Sequence, residues 1–266
     1  MRVYILSDNR VVQPRPKNLI AEWGFSSLID VNGKYILFDA GQRTAIHNSI
    51  LINAPLNDIK KIVLSHGHYD HTTGLREILN FKKADLYLHP DAWLTRYLKG
   101  EQIGIPWKKE EIESLTKIFE HREAVEIEKN VWALGEIPRK YDYPRLDAYI
   151  LKDGEKLRDN IKDDQSIAVK TSNGVILILG CCHAGLRNTV EHAEDVTGDE
   201  VRSIVGGTHF IGMKDDEIKD VAGWLNSKID LVATCHCTGP KGEIILSSII
   251  GEKFREVGAG SVIDFQ

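Results

Sequence analysis

The sequence predicts an α+β fold, with two β-sheets covered by helices in a single domain spanning residues 1–266. Three observations lead there. The pattern of elements divides into two halves, each with several strands followed by helices. The longest apolar runs are strand-sized, such as 175–179, which excludes a transmembrane helix. Apolar residues make up 42% of the 266 and charged residues 27%, a balance that supports a sizeable core and excludes wholesale disorder.

Taken in order, residues 2–6 and 26–31 read as strands, and 34–39 forms a hairpin with the second of them. Asn32-Gly33 marks that hairpin, because a type I′ turn needs positive φ at both central residues. Residues 42–53 read as a short helix ahead of Pro55, and 61–65 as an apolar strand that stops at a histidine cluster. Helical segments follow at 72–80 and 91–98, with a strand at 85–89 between them. The polar stretch 99–121 reads as a surface excursion, a lid or a plain connection, with a charged helix near 108–119. A second hairpin pairs 124–127 with 131–134. Loop 135–145 carries two prolines, Arg139, Lys140 and Arg145, and strands are expected at 146–152, 165–171 and 175–180. Beyond residue 180 helix and strand alternate. Leu186, Val190, Ala193 and Thr197 keep helical spacing up to Gly198, a C-terminal cap. Strand 201–205 leads to a helix marked by Ile218, Val221, Ala222 and Leu225, whose first turn holds Asp215, Asp216 and Glu217. Strand 231–234, a helix over 239–250 with Pro240 near its start, and a strand at 255–257 complete the pattern.

The formal charge of −5 argues against a general nucleic-acid or anionic-membrane surface, and leaves room for a local basic pocket. Residues 1–6 enter a strand pattern at once, so a signal peptide is not expected and the protein reads as cytoplasmic. The four cysteines are Cys181, Cys182, Cys235 and Cys237, two tight pairs, each beside a histidine. That is unlike a secreted disulfide framework. It is also poorly spaced for a separate structural zinc site, whose ligands usually sit two to four residues apart.

The decisive segment is Ser65-His66-Gly67-His68-Tyr69-Asp70-His71. His66 and His68, two apart in extended chain, can share a metal, and Asp70 and His71 follow as the chain turns. Imidazole and carboxylate together suit Zn²⁺, with Mn²⁺ or Fe as alternatives. Gly67 removes a side chain where backbone must pass close to the ligands.

His-x-His-x-Asp-His resembles the signature of the metallo-β-lactamase superfamily, and Ile36-Leu37-Phe38-Asp39-Ala40-Gly41 resembles that family's early strand and turn. The resemblance covers essentially the whole chain. It implies an αββα four-layer sandwich, one or two metal ions, and an Asp39 that supports the ligand loop by hydrogen bonds. His183, after strand 175–179, and His236, after strand 231–234, occupy the strand-to-helix positions of the later ligands. The family's usual earlier His has no counterpart near Asp163-Asp164-Gln165, and its Gly-Asp step is replaced by Gly180-Cys181. Asp164, Cys181 or Cys182 stands in for the bridging carboxylate. Gly-Cys-Cys-His-Ala-Gly, Gly-Gly-Thr-His-Phe and His-Cys-Thr-Gly further resemble the dihydropterin–ribofuranosylaminobenzene phosphate synthase-like subgroup, which implies a pterin-related substrate.

The expected metal ligands are therefore His66, His68, Asp70, His71, His183 and His236. Asp70 also orients a metal-activated water. His209, after strand 201–205, is open as ligand, proton donor or substrate contact, and Arg139 and Arg145 are candidate phosphate contacts. Helix starts at Gly185 and Gly239 favour an anion. The expected partner is an anionic small molecule, with neither nucleic acid nor membrane involved. The expected activity is hydrolysis or a related transfer on a phosphorylated substrate. The competing expectation is a metal- and ligand-binding sensor without turnover. His89, at a nearby strand end, is a further histidine to place.

Overall fold

Asn32 and Gly33 both take positive φ, 54° and 79°, and Val31 pairs directly with Lys34, so the predicted two-residue hairpin is present. It belongs to a computed structural model that describes residues 1–152 and 154–265. The chain divides into two compact units. One comprises Met1–His121, Leu146–Asp163 and Gly258–Gln266; the other comprises Arg122–Arg145 and Asp164–Val257.

The first unit is built on a sheet whose described strands run in the order Val262–Asp264, Arg2–Ser7, Ser26–Val31, Lys34–Phe38, Lys61–Val63, Asp85–Leu88, Ile118–Glu120. The members up to Lys34–Phe38 pair antiparallel. From there to Ile118–Glu120 the pairing is parallel, with Phe38 opposite Val63 and Val63 opposite Tyr87. Parallel strands bring consecutive carboxyl ends to one edge, and the His66–His71 segment leaves from that edge. Leu6, Leu28, Leu37, Ile62, Leu75, Ile78 and Leu86 are buried together in this unit's core. A smaller sheet joins Glu155–Arg158, Ala148–Lys152, Arg96–Leu98 and Glu101–Gln102.

Residues 91–98, expected to be helical, are instead a short 3-10 turn, Pro90–Trp93, followed by the strand Arg96–Leu98. Pairing of Arg96 with Ile150, and stacking of Tyr97 on Tyr149 at 5.2 Å, outweigh the local helical pattern. The helix expected near 108–119 is only Lys109–Glu113, because Ile118–Glu120 joins the large sheet beside Asp85–Leu88. The expected helix over 72–80 is two pieces, Tyr69–Thr72 and Leu75–Phe81. Strands Glu155–Arg158 and Val262–Asp264 escaped the sequence pattern. The first is exposed throughout, so no face of it needs to be apolar.

In the second unit the order is Phe254–Glu256, Leu231–Thr234, Val201–Gly206, Gly174–Leu179, Ser166–Thr171, Val131–Ala133, Val125–Glu128. Gly174–Leu179, Val201–Gly206 and Leu231–Thr234 are parallel neighbours, with Leu179 opposite Gly206 and Gly206 opposite Thr234. Their carboxyl ends therefore lie side by side. Helices Leu186–Thr197, Asp215–Lys228 and Gly239–Ile250 contribute Leu186, Val190, Ile218, Leu225 and Leu246 to a core with Leu177, Leu179, Ile204 and Val232. Gly198 closes the first of these helices at φ 65°, as its position predicts.

Candidate functional site

In the first unit, the strand Lys61–Val63 runs into Leu64 and Ser65, and the ligand segment begins. Asp39, at the end of the neighbouring strand, is fully buried and held at φ 60°. Its carboxylate accepts the Ser65 backbone N–H (2.7 Å), the Ser65 hydroxyl (2.7 Å) and His71 Nδ1–H (2.7 Å). This assigns two tautomers. Ser65 spends its proton on Asp39, so its oxygen accepts from His66 Nδ1 at 2.8 Å. His66 and His71 therefore both carry their lone pair on Nε2. A buried carboxylate fixing ring orientation from behind is the usual support of metal-ligating imidazoles.

His66 Nε2 lies 2.8 Å from His68 Nδ1, the His66 and His71 rings are 4.3 Å apart between centroids, and His71 Nε2 lies 3.8 Å from Asp70 Oδ2. All four side chains are buried. Two imidazole nitrogens at that separation share either a proton or a cation, so the donor set fits a metal. The structure thus brings His66, His68, Asp70 and His71 together.

Gly67 sits between the first two histidines, and a Cβ there would lie 2.1 Å from the Ala92 carbonyl oxygen and 2.5 Å from Arg96 Nη1. Its N–H donates to Asp163 Oδ2 at 2.8 Å. Arg96, fully buried, donates to Asp163 Oδ1 (2.5 Å), Asp159 Oδ2 (2.8 Å) and the Asp91 carbonyl (3.0 Å). Two buried carboxylates facing its guanidinium more than offset burial and hold Arg96 in its charged form. Between them Ile161 takes φ 47°, a strained conformation for a β-branched residue, which turns the chain so that both carboxylates face Arg96. This clamp was not legible in the sequence, where Arg96 fell in a mispredicted helix.

The 99–121 excursion ties onto the same segment. Trp107 Nε1 donates to the Thr72 and Thr73 carbonyls (3.1 Å each), and Tyr69 N–H donates to the Ile103 carbonyl (3.0 Å). His89 accepts the Asp91 N–H at 3.1 Å and caps the Pro90–Trp93 turn, a structural role.

In the second unit, three loops follow the three parallel strands: Cys181-Cys182-His183, Gly207-Thr208-His209, and Cys235-His236-Cys237. The His183 and His209 rings lie 4.3 Å apart between centroids. Ligand atoms of Cys181, His209 and Cys237 all lie within 4.8 Å of one another. The His209 backbone N–H donates to Cys237 Sγ (3.3 Å), and the Cys237 thiol meets the Cys181 carbonyl at 3.5 Å. Burial pushes the Cys237 thiol up, but hydrogen bonds with Cys181 and His209 and the His209 charge outweigh it and leave Cys237 well below the ordinary thiol range. Cys182 turns the other way, into the core cluster with Leu186 and Val190, its Sγ 3.4 Å from Thr189 Oγ1; burial pushes its thiol well up. Asp164 accepts the Ala184 N–H at 2.8 Å. Cys182, His209 and His236 all have positive φ, 59°, 52° and 51°, so strained backbone marks all three loops.

Arg139 and Arg145 both lie over one ring, their guanidinium carbons 5.1 and 5.4 Å from the Tyr143 centroid. Asn188 pins this loop to the helix: its Oδ1 accepts the Lys140 and Tyr141 N–H groups (2.8 Å each) and its Nδ2 donates to the Tyr141 carbonyl (3.0 Å). Tyr143 packs against Gly185, where a Cβ would come within 2.9 Å of it. The two arginines are thus held near the start of Leu186–Thr197, three residues beyond His183. Asn188 was missed by sequence reasoning, since a polar residue in a helix carries no signal of what it binds. Among the described residues no helix is long and apolar enough to cross a membrane.

The geometry and the comparisons with known proteins agree: the chain belongs to the metallo-β-lactamase superfamily, whose family model matches residues 24–145. An uncharacterized protein of Methanocaldococcus jannaschii, MJ0448, is 32% identical over 260 residues, covering 96% of this chain and 98% of that one. The 7,8-dihydropterin-6-methyl-4-(β-D-ribofuranosyl)-aminobenzene-5′-phosphate synthase of the same organism is 28% identical over 286 residues, covering 100% and 97%. The crystal structure of Tm1679, a metal-dependent hydrolase of the β-lactamase superfamily, matches with a TM-score of 0.88 at 28% identity over 100% of this chain and 99% of that one. The fold is the metallo-β-lactamase fold that the histidine signature implies. Superfamily members bind divalent metals, and the His, Asp and Cys clusters described above are suited to one.

Proposed function

We propose that the protein is a zinc-dependent enzyme that hydrolyses a phosphorylated, anionic small molecule of the pterin-related class, or transfers a group on it. His66, His68, Asp70 and His71 of the first unit and His183 and His236 of the second are its metal ligands. The observation that carries this reading is the commitment of Nδ1–H of both His66 and His71 to the Ser65–Asp39 pair, which turns the lone pair of each ring onto Nε2, on the side of His68 and Asp70. A divalent metal, when bound, supplies Lewis acidity and makes water a competent nucleophile near neutral pH.

The chain's own residues do the rest. The Asp70 carboxylate, beside His71, accepts a hydrogen from the attacking water and sets its direction. Arg139 and Arg145, both held over Tyr143 on the loop that Asn188 pins, receive the substrate phosphate. The positive end of helix Leu186–Thr197 adds to their field. The likeness over the full chain to a pterin-pathway phosphate synthase supports the substrate class.

The test is metal analysis coupled to a substrate panel. Zinc-loaded protein is expected to turn over phosphorylated substrates, and Asp70→Asn to abolish turnover while the fold persists. Stoichiometric metal with no turnover of phosphate esters, lactones or thioesters would sink the enzyme reading and leave a binding protein.

A further inference from the structure

We propose that Cys181, Cys237 and His209 form a thiolate–imidazole site, which binds a soft divalent metal of the zinc class through two sulfurs and one ring nitrogen. It rests on the reading above that the second unit binds metal, and adds ligands that the superfamily signature does not supply.

Four observations carry it. The three ligand atoms already lie within 4.8 Å of one another, with both cysteines buried. The His209 backbone N–H points at Cys237 Sγ (3.3 Å), and an N–H···S contact stabilises a coordinated thiolate as it does any sulfur anion. Gly207 makes room for that sulfur, because a Cβ there would stand 2.6 Å from it and 2.4 Å from the Gly180 carbonyl oxygen. Finally, the neighbouring thiol of Cys182 is engaged elsewhere, in the core beside Thr189. Of the two adjacent cysteines, Cys181 is the one whose sulfur gathers with other ligand atoms.

The chemistry follows from ligand softness. Thiolates select zinc over manganese, magnesium or calcium. Metal entry displaces the Cys181 thiol proton and the proton held between Cys237 and His209 to solvent, forming two metal–sulfur bonds with no change of oxidation state. His209 then offers its lone pair to the metal, which removes it from the proton-donor role open to it in the sequence.

Metal-free protein reconstituted with Co²⁺ reports this directly, because thiolate ligands give near-ultraviolet charge-transfer absorption that imidazole and carboxylate ligands do not. The wild type is expected to show the band, Cys181→Ser and Cys237→Ser each to lose about half of it, and Cys182→Ser to keep it. His209→Gln is expected to weaken metal binding by roughly tenfold or more. A metal-loaded wild type without the band, or a band indifferent to Cys237→Ser, overturns the proposal. X-ray absorption of the zinc-loaded wild type needs no variant: a sulfur shell near ~2.3 Å is expected, and only nitrogen and oxygen near ~2.0–2.2 Å refutes it. His71→Ala separates the two readings, since it should lower metal content and spare the charge-transfer band. Loss of metal binding altogether in the wild type would overturn both.

Discussion

In each unit the histidine-bearing loops leave the carboxyl ends of parallel strands, yet different forces hold them in the two units. Around His66–His71 the backbone and rings are gripped by carboxylates: Asp39 takes three donors, and Asp163, clamped by Arg96, takes the Gly67 N–H. Around Cys181, His209 and Cys237 the grip comes from close approach of glycine-lined strand ends. Gly207 N–H donates to the Gly180 carbonyl (3.1 Å), Cys235 N–H to the Gly206 carbonyl (3.2 Å), and Thr208 to Thr238 Oγ1 (3.2 and 3.1 Å). One cluster is oriented mainly by buried charges and the other mainly by neutral hydrogen bonds between closely packed strand ends. A charged support can fix a ring's tautomer, whereas close packing places an atom, and that suits the two sulfurs, which have no tautomer to choose.

The comparison breaks most visibly at Arg96. Arg96→Met leaves Asp159 and Asp163 buried without their cation and is expected to cost about 3–5 kcal/mol in denaturant unfolding. Adding Asp163→Asn should return part of that loss; an exposed-residue effect below about 0.5 kcal/mol would show that the clamp is not structural. Next comes Asp39→Asn, which keeps a residue tolerant of φ 60° and removes the charge. It should weaken metal binding by roughly 10–100-fold in competition titrations, with smaller changes in stability. On the steric side, Gly207→Ala should cost about 1–3 kcal/mol by overpacking, and reduce the Co²⁺–thiolate band. If that band survives Gly207→Ala while Asp39→Asn abolishes it, the contrast between the two modes of support is wrong. The smallest effect is expected from Ser65→Ala. Losing one neutral partner of Asp39 and His66 should cost about 1 kcal/mol in thermal or denaturant unfolding.

How much of this was legible depends on range. The Asn32-Gly33 hairpin and the Gly198 cap were read correctly because a left-handed backbone selects its residues locally. The histidine cluster was read because its donors lie within six residues at the end of an apolar strand. The strand Arg96–Leu98 was misread as helix because its partner, Ala148–Lys152, lies some fifty residues away. The choice among Asp164, Cys181 and Cys182 was open for a related reason: neighbours in sequence can point to opposite sides, and only the folded chain shows that Cys182 packs against Thr189.

By itself, then, the sequence determined the family, the first histidine cluster and the strand ends that carry the later histidines and cysteines, because signature motifs and turn geometry act over a few residues. The tertiary structure alone decided what holds those donors. A buried guanidinium between two carboxylates, a thiol beside another loop's N–H, and an asparagine pinning an arginine loop are contacts between segments tens of residues apart. Their energy depends on burial, and burial exists only once the chain has packed.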